Sequence, residues 1–340
     1  MEQTSPPVVS VIVPVYNGAR FLFETLEAIR SQTFEAWECV VVDDESSDSS
    51  LDVARSFCTD PRFKVLEKQR GGASAARNCG YLASDSRSRY VTFMDADDVW
   101  TTDALETLFR AAEEFPHGVG AHGLAELVDA SSQTILPGVY AARGRARSGR
   151  KGRRMVRMSS DEPTDFDVLI NGNVLFPPGL LLARRSAYEM AGPFDETMAG
   201  AEDWDMLIRL SRGGPIAFVD RVIAAYRRHD GNMGARPGIA EAAWRVRCLA
   251  FYASENTPDQ RRRARKGWRA SQLALLHHHL QHLEGIDHIT RGEARQTSLP
   301  FLAACAIRYL RGFPLPRVRR PPLVWRDWQP QGCAHEHTRP

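Results

Sequence analysis

"VTFMDADDVW", residues 91–100, joins an apolar run to three aspartates and a tryptophan. Val91, Phe93 and Met94 suit a buried strand, which Asp95, Asp97 and Asp98 end abruptly. On an extended chain, side chains at i and i+2 share a face. Asp95 and Asp97 are therefore expected to reach one ligand while Asp98 turns away. Paired carboxylates at a strand end suit Mg2+ or Mn2+, hard cations often held by one or two carboxylates and completed by substrate phosphates.

The same scheme recurs upstream. "VVSVIVPVY" (8–16) is a β-branched run closed by Pro14, Asn17 and Gly18, followed by an amphipathic stretch through Ile29. "WECVVVDDESSD" (37–48) runs into Asp43 and Asp44, with a helix expected from about Leu51. "RFKVLEK" predicts a third strand, "GGASAARNCGYLAS" a turn entering a helix, and "RYVTFMD" a fourth strand. Strands alternating with helices imply an α/β fold with a mostly parallel sheet flanked by helices. Ligands in such sheets bind beyond the carboxyl ends of the strands, where Tyr16, Asn17, Asp43, Asp44, Asp95 and Asp97 all fall. Any one of them is explained as a turn former or helix cap. Their recurrence after three strands favours a site.

Further along, a helix is expected near 103–115, and "VGAHGLAELVD" with "QTILPGVYAA" reads as a hairpin pair. The loop "RGRARSGRKGRRMVR" (143–157) carries eight Arg or Lys and no acid. It suits a phosphorylated or lipid-linked acceptor, anionic headgroups, or plain disorder. From about 236 the pattern changes to Ala-, Arg- and Leu-rich helices. The chain therefore divides into a catalytic domain, 1–235, and a helical, basic extension, 236–340. "LLHHHLQHL" in that extension lacks an HExxH pattern and reads as a solvated helix face. Phe313, Val318, Trp325 and Trp328 among Arg317, Arg319, Arg320 and Arg326 suggest peripheral membrane contact through the tail.

The formal net charge of +2 carries no global bias toward nucleic acid, and no nucleic-acid fold is evident. Six scattered cysteines without a CxxC pair predict neither a disulfide framework nor a structural zinc site. The N-terminus lacks a basic region followed by an apolar one, so a cytoplasmic location is expected.

Taken in order, "VIVPVYNGARFL", "VVVDDESSD", "GGASAARNCG", "FMDADDVW", "GPFDE", "AEDWDMLIRL" and "YRRHDGNM" resemble the motifs of family 2 glycosyltransferases with the GT-A fold, across residues 8–233. The resemblance implies a Rossmann-like nucleotide-diphospho-sugar transferase. It implies inverting transfer of a single sugar, with a UDP-linked donor favoured and a glycan or lipid-linked acceptor in bacterial surface polysaccharide or glycolipid synthesis. Pro14, Tyr16, Asp43 and Asp44 would line the nucleoside pocket, and Arg77 would approach the base or diphosphate. Asp95 would hold the ribose or metal-bound water. Asp97, with His229, would ligate Mg2+ or Mn2+ against the two phosphates. Asp203 matches the catalytic base, with Glu202 and Asp205 as competitors, and Glu202 and Trp204 face the acceptor side. On the blandest reading, "AEDWDMLIRL" only begins a helix whose first-turn acids suit its dipole.

Two departures from the family stand out. Glu45 occupies a position often held by Gly, which loosens the choice of base-contacting aspartate. The Q/R-x-x-R-W motif of processive members is absent, which favours single additions. The rival readings are a nucleotidyltransferase, which would carry a Gly-rich phosphate loop where this chain has "PVYNGAR", and a noncatalytic nucleotide-sugar or glycan-binding protein.

Overall fold

The computed structural model describes residues 6–151, 154–198, 200–232, 239–265 and 322–328. Strands and helices alternate from the start: β1 (Val9–Val15), α1 (Ala19–Arg30), β2 (Trp37–Asp43), α2 (Ser50–Ser56), β3 (Phe63–Glu67), α3 (Ala73–Ala83) and β4 (Tyr90–Phe93). Then come β5 (Val99–Trp100), α4 (Ala104–Glu114), β6 (Gly120–Val128), α5 (Val139–Arg145), β7 (Ser148–Lys151) and β8 (Arg154–Arg157). The remaining elements are α6 (Phe166–Asn171), β9 (Leu181–Arg184), α7 (Arg185–Ala191), α8 (Glu202–Ser211), β10 (Ile216–Arg227) and α9 (Ile239–Tyr252).

Eight strands form one sheet in the order β3-β2-β1-β4-β9-β6-β10-β5. The β3–β2, β2–β1, β1–β4 and β6–β10 pairs are parallel. The pairs made by β9 and β5 are antiparallel. Every residue of β2 is buried, as expected of a parallel strand covered on both faces. Helix α1 buries Leu22, Leu26 and Ile29 completely, each worth ~1.5–3 kcal/mol relative to exposure. Helix α3 lies so close to the sheet that a Cβ at Gly80 would stand 2.6 Å from Ile12 and 2.9 Å from Val42. This close approach sets Arg77 and Asn78 beside the strand ends.

The expected hairpin after β6 does not form. Val128 makes a single antiparallel bridge to Thr134, and the chain then enters α5. Pro137 lacks the N–H that a ladder needs, which ends the second arm. The described residues of the basic stretch that follows form the end of α5 and the paired strands β7 and β8. Its Arg147 is buried, with the guanidinium bonded to the Ser159 and Glu162 carbonyls.

The chain divides into two compact units, one of 1–197, 202–232 and 323–340, the other of 198–201 and 233–322. Residues 323–328 thus belong with the sheet, although the sequence places them in the extension from 236. Trp325 and Trp328, expected at a membrane interface, pack instead on this unit. Trp325 lies 4.5 Å from the Tyr81 ring, and Trp328 bonds Glu196. Arg317, Arg319, Arg320 and the "LLHHHLQHL" stretch lie outside the described residues. Cys79 on α3 is disulfide-bonded, which the scattered cysteine spacing did not predict. Among the described residues, no helix is long and apolar enough to cross a membrane.

Candidate active site

Three strand ends and one helix start build the site. Where β1 ends, Pro14 is followed by Tyr16, whose exposed ring carries the Arg70 guanidinium over its face. Asn17 adopts a left-handed φ of 49° and ties the turn to its neighbour by accepting from the Ser47 N–H.

At the end of β2 the two aspartates have different duties. Asp44 accepts from the buried Lys68 ammonium at 2.7 Å and from the Gly71 and Gly72 N–H groups at 2.9 and 2.7 Å. Its oxygens are committed to the turn after β3. Asp43 Oδ2 accepts from Ser46 N–H, but its buried Oδ1 has no partner among the described residues. A buried acceptor without a donor is costly, and this one is free to accept from a ligand N–H. Glu45 keeps a left-handed φ of 65°, the conformation a glycine would take, and its carboxylate accepts from Arg70 N–H.

The DADD segment departs from the extended geometry that its i, i+2 spacing predicts. The strand stops at Phe93, and Asp98 N–H bonds back to the Asp95 carbonyl at 3.2 Å, closing a turn. Asp95 and Asp97 therefore face different partners. Asp95 pairs with Arg77 at 2.8 Å, and Asp97 Oδ2 lies 2.9 Å from His229 Nε2. Asp98 is fully buried and accepts from Arg227 N–H. Arg227 pins the turn further, donating to the Asp97 carbonyl and to Glu24 on α1. Sequence reading missed this arginine. Its cue is the antiparallel pairing of β10 with β5, which brings "YRRHD" past the acids.

Asp97 and His229 offer one oxygen and one nitrogen to a cation. No group of three or more metal-binding side chains occurs among the described residues. This donor set fits an Mg2+ or Mn2+ site completed by substrate oxygens rather than a closed protein cage.

Helix α8 begins with Glu202 and Asp203. Buried Arg77 spans from Asp95 to Glu202, with both bonds at 2.8 Å, and so ties the end of β4 to the start of α8. Asp203 Oδ2 accepts from Asn173 Nδ2 at 3.2 Å. An apolar cavity lined by Phe93, Leu175, Leu207 and Leu210 reaches its side chain. Burial, then the neighbouring charge of Glu202, pushes the Asp203 carboxyl up to about 7. Trp204, assigned to the acceptor side, is in the core with its indole N–H on the Leu169 carbonyl. Asp205 is occupied by Arg209 at 2.9 Å.

An aromatic cluster missed by sequence reading lies nearby. The Tyr226 ring meets Phe176 edge to face at 5.0 Å and lies tilted 5.5 Å from Tyr140. Burial pushes both phenols above their ordinary range, and Asp203 and Asp98 act on Tyr140 as Asp98, Asp97 and Asp95 act on Tyr226. The two rings thus lie within electrostatic reach of these carboxylates.

The α/β sheet flanked by helices is that of the GT-A fold. Residues 10–188 match the family described as "Glycosyl transferase family 2", and the chain belongs to that family. It is 37% identical over 109 residues to the glycosyltransferase GlyG of Streptococcus pneumoniae, covering 32% of this chain and 36% of that protein. To an uncharacterized glycosyltransferase of Rickettsia prowazekii it is 27% identical over 230 residues, 66% of this chain and 64% of that one. To the minor teichoic acid biosynthesis protein GgaA of Bacillus subtilis it is 33% identical over 105 residues, 29% of this chain and 24% of the relative. The matched segments thus span a quarter to two thirds of those relatives' lengths.

Among solved structures, S. aureus TarS 1-349 in complex with UDP-GlcNAc shares the fold at a TM-score of 0.59 and 16% identity, over 90% of this chain and 92% of that one. The mannosyltransferase PcManGT from Pyrobaculum calidifontis, with GDP-Man and Mn2+, shares it at 0.53 and 18%, over 90% and 88%.

Proposed function

We propose that the chain is an inverting glycosyltransferase moving one sugar from a nucleoside diphosphate sugar to an acceptor hydroxyl. The observation that carries this reading is Asp203. It is a carboxyl raised to about 7, oriented by Asn173 and joined through Glu202 and Arg77 to Asp95. A base titrating near neutrality combines a useful ionised fraction with basicity.

The neighbours solved with UDP-GlcNAc and UDP favour a UDP-linked donor. The nucleoside sits against Tyr16 and Pro14, where Arg70 now covers the Tyr16 ring. The base donates an N–H to Asp43 Oδ1, the buried acceptor without a protein donor. The diphosphate lies toward Asp97 and His229. Asp97 and His229 would hold a divalent cation, such as the Mn2+ present in the mannosyltransferase complex, and that ion would supply positive charge against the departing diphosphate.

The acceptor sugar lies along Tyr140, Phe176 and Tyr226, whose rings offer apolar faces to its C–H groups. As the acceptor oxygen attacks the anomeric carbon, its proton passes to the Asp203 carboxylate. The bond from that carbon to the phosphate oxygen breaks, its electron pair leaves with the diphosphate, and attack from the opposite face inverts the configuration. Arg77 keeps Asp95 and Glu202 in register during this exchange.

Relatedness to a teichoic acid biosynthesis protein supports a role in bacterial surface polysaccharide or glycolipid synthesis. Peripheral membrane contact through the tail loses its aromatic half, because Trp325 and Trp328 are engaged by Tyr81, Tyr188 and Glu196. Thermal stabilisation by individual nucleotide sugars with Mn2+, followed by hydrolysis assays on each hit, tests the reading. Stabilisation by none of them would contradict it.

A further inference from the structure

Residues 323–328 cross back over the face formed by α3 and α7, and their seat is specific. At Gly192, which closes α7 with a φ of 78°, a Cβ would lie 1.8 Å from the Leu323 carbonyl oxygen. Only a glycine lets the two backbones pass this closely. The Trp325 ring then packs 4.5 Å from Tyr81 and 5.7 Å from Tyr188. Its neighbour Trp328 donates its indole N–H to Glu196 Oε1 at 2.7 Å.

That carboxylate oxygen is shared. It also accepts from Asn78 Nδ2 at 2.9 Å. Asn78, completely buried on α3, grips the Phe194 backbone from both sides: Nδ2 donates to its carbonyl at 3.0 Å, and Oδ1 accepts from its N–H at 2.8 Å. The Phe194 ring in turn lies 5.3 Å from the guanidinium of Arg77, the residue that spans Asp95 and Glu202. A continuous path of contacts thus leads from Trp328 through Glu196, Asn78 and Phe194 to Arg77.

We propose that the segment 323–328 is a clasp that holds Arg77 in its bridge between Asp95, on the donor side, and Glu202, with Trp328 as its positioning residue and Gly192 as its seat. The clasp joins the 192–196 turn to α3, so the turn cannot lift without breaking the Trp328–Glu196 bond. It touches no donor-pocket residue itself and acts through Glu196 and Asn78. Its effect on catalysis rests on the donor reading given above, whereas its effect on the turn does not.

The test uses the full chain and two readouts, hydrogen exchange of the 192–197 amides and calorimetry with UDP and Mn2+. Trp328→Phe keeps the ring and removes the indole N–H. It should speed exchange of the turn about tenfold, the size of one lost hydrogen bond, and weaken UDP by about threefold to tenfold. Glu196→Gln keeps an accepting oxygen but loses its charge, and should fall between wild type and Trp328→Phe in both. Gly192→Ala should reproduce the Trp328→Phe effects by displacing Leu323. Wild-type exchange and UDP affinity in both Trp328→Phe and Gly192→Ala would overturn the clasp. Absence of UDP binding by the wild-type chain would count against the donor reading alone, and the exchange measurement would still decide the clasp.

Discussion

Asn173 holds Asp203 through a 3.2 Å hydrogen bond from its amide Nδ2 to the carboxylate Oδ2, while its own Oδ1 accepts from Leu175 N–H. The amide is fixed at both ends, so it orients the proposed base rather than merely touching it. Replacing it should reduce turnover without affecting donor binding. A hydrogen bond to a charged group is worth ~1.5–3 kcal/mol, so Asn173→Ala should slow turnover by roughly tenfold to a hundredfold. Steady-state kinetics beside UDP calorimetry checks this. Equal losses in both would place Asn173 in the donor pocket instead.

Asp203 also sets a pH dependence, because burial first and Glu202 second push its carboxyl up to about 7. Activity requires the ionised form, so kcat/KM should fall as pH drops below about 7 and level off above it. Stability should run the other way. The unfolded carboxyl ionises near its ordinary value of about 3.9, so between there and pH 7 the folded chain holds the extra proton, and stability declines as pH rises. Above pH 7 Asp203→Asn, with no charge to bury, should melt higher than wild type. A flat melting difference across pH 5 to 8 would contradict the raised value.

The two aspartates after β2 should separate cleanly by mutation. Asp44→Asn leaves the buried Lys68 ammonium without its counter-charge, a loss of about 3–5 kcal/mol in stability. Asp43→Asn should leave folding nearly unchanged while weakening UDP about tenfold, because an amide does not reproduce a charged acceptor. Urea denaturation and UDP calorimetry on the two variants distinguish the assignments.

Asp97→Asn removes charge from the proposed cation ligand while preserving its shape. Calorimetry with UDP should then show weaker binding, about tenfold or more, and little gain from Mn2+. Unchanged affinity and unchanged response to Mn2+ would remove Asp97 from the metal site.

Much of the fold was legible because its first half is built of contiguous signals. The β-branched runs 9–15 and 37–43 became β1 and β2, and the carboxyl ends gathered Tyr16, Asp43, Asp44 and Asp95 as the parallel-sheet rule requires. What sequence did not disclose depends on contacts between distant segments. Strand β9 inserts between β4 and β6, and only that arrangement sets α7 and the turn after it over α3. Lys68 follows an ordinary short strand, yet becomes the buried partner of Asp44. Trp204 follows the proposed base and was expected to face the acceptor. The helical turn instead carries it into the core, to the Leu169 carbonyl. The i, i+2 rule failed for Asp95 and Asp97 because β4 ends at Phe93. Trp325 and Trp328 among arginines have the composition of an interfacial anchor, and nothing local signals that Tyr81 and Glu196 receive them.

The most direct test of the central claim is release of UDP from a UDP-sugar by the wild-type chain and by Asp203→Asn, in saturating Mn2+. Water serves as acceptor, so the natural acceptor need not be known. The expected result is Mn2+-dependent release by the wild type, slower by roughly 10² to 10⁴ in Asp203→Asn, the range for loss of a general base, with UDP affinity close to wild type. Release by Asp203→Asn at the wild-type rate would contradict the assignment of Asp203 as the base.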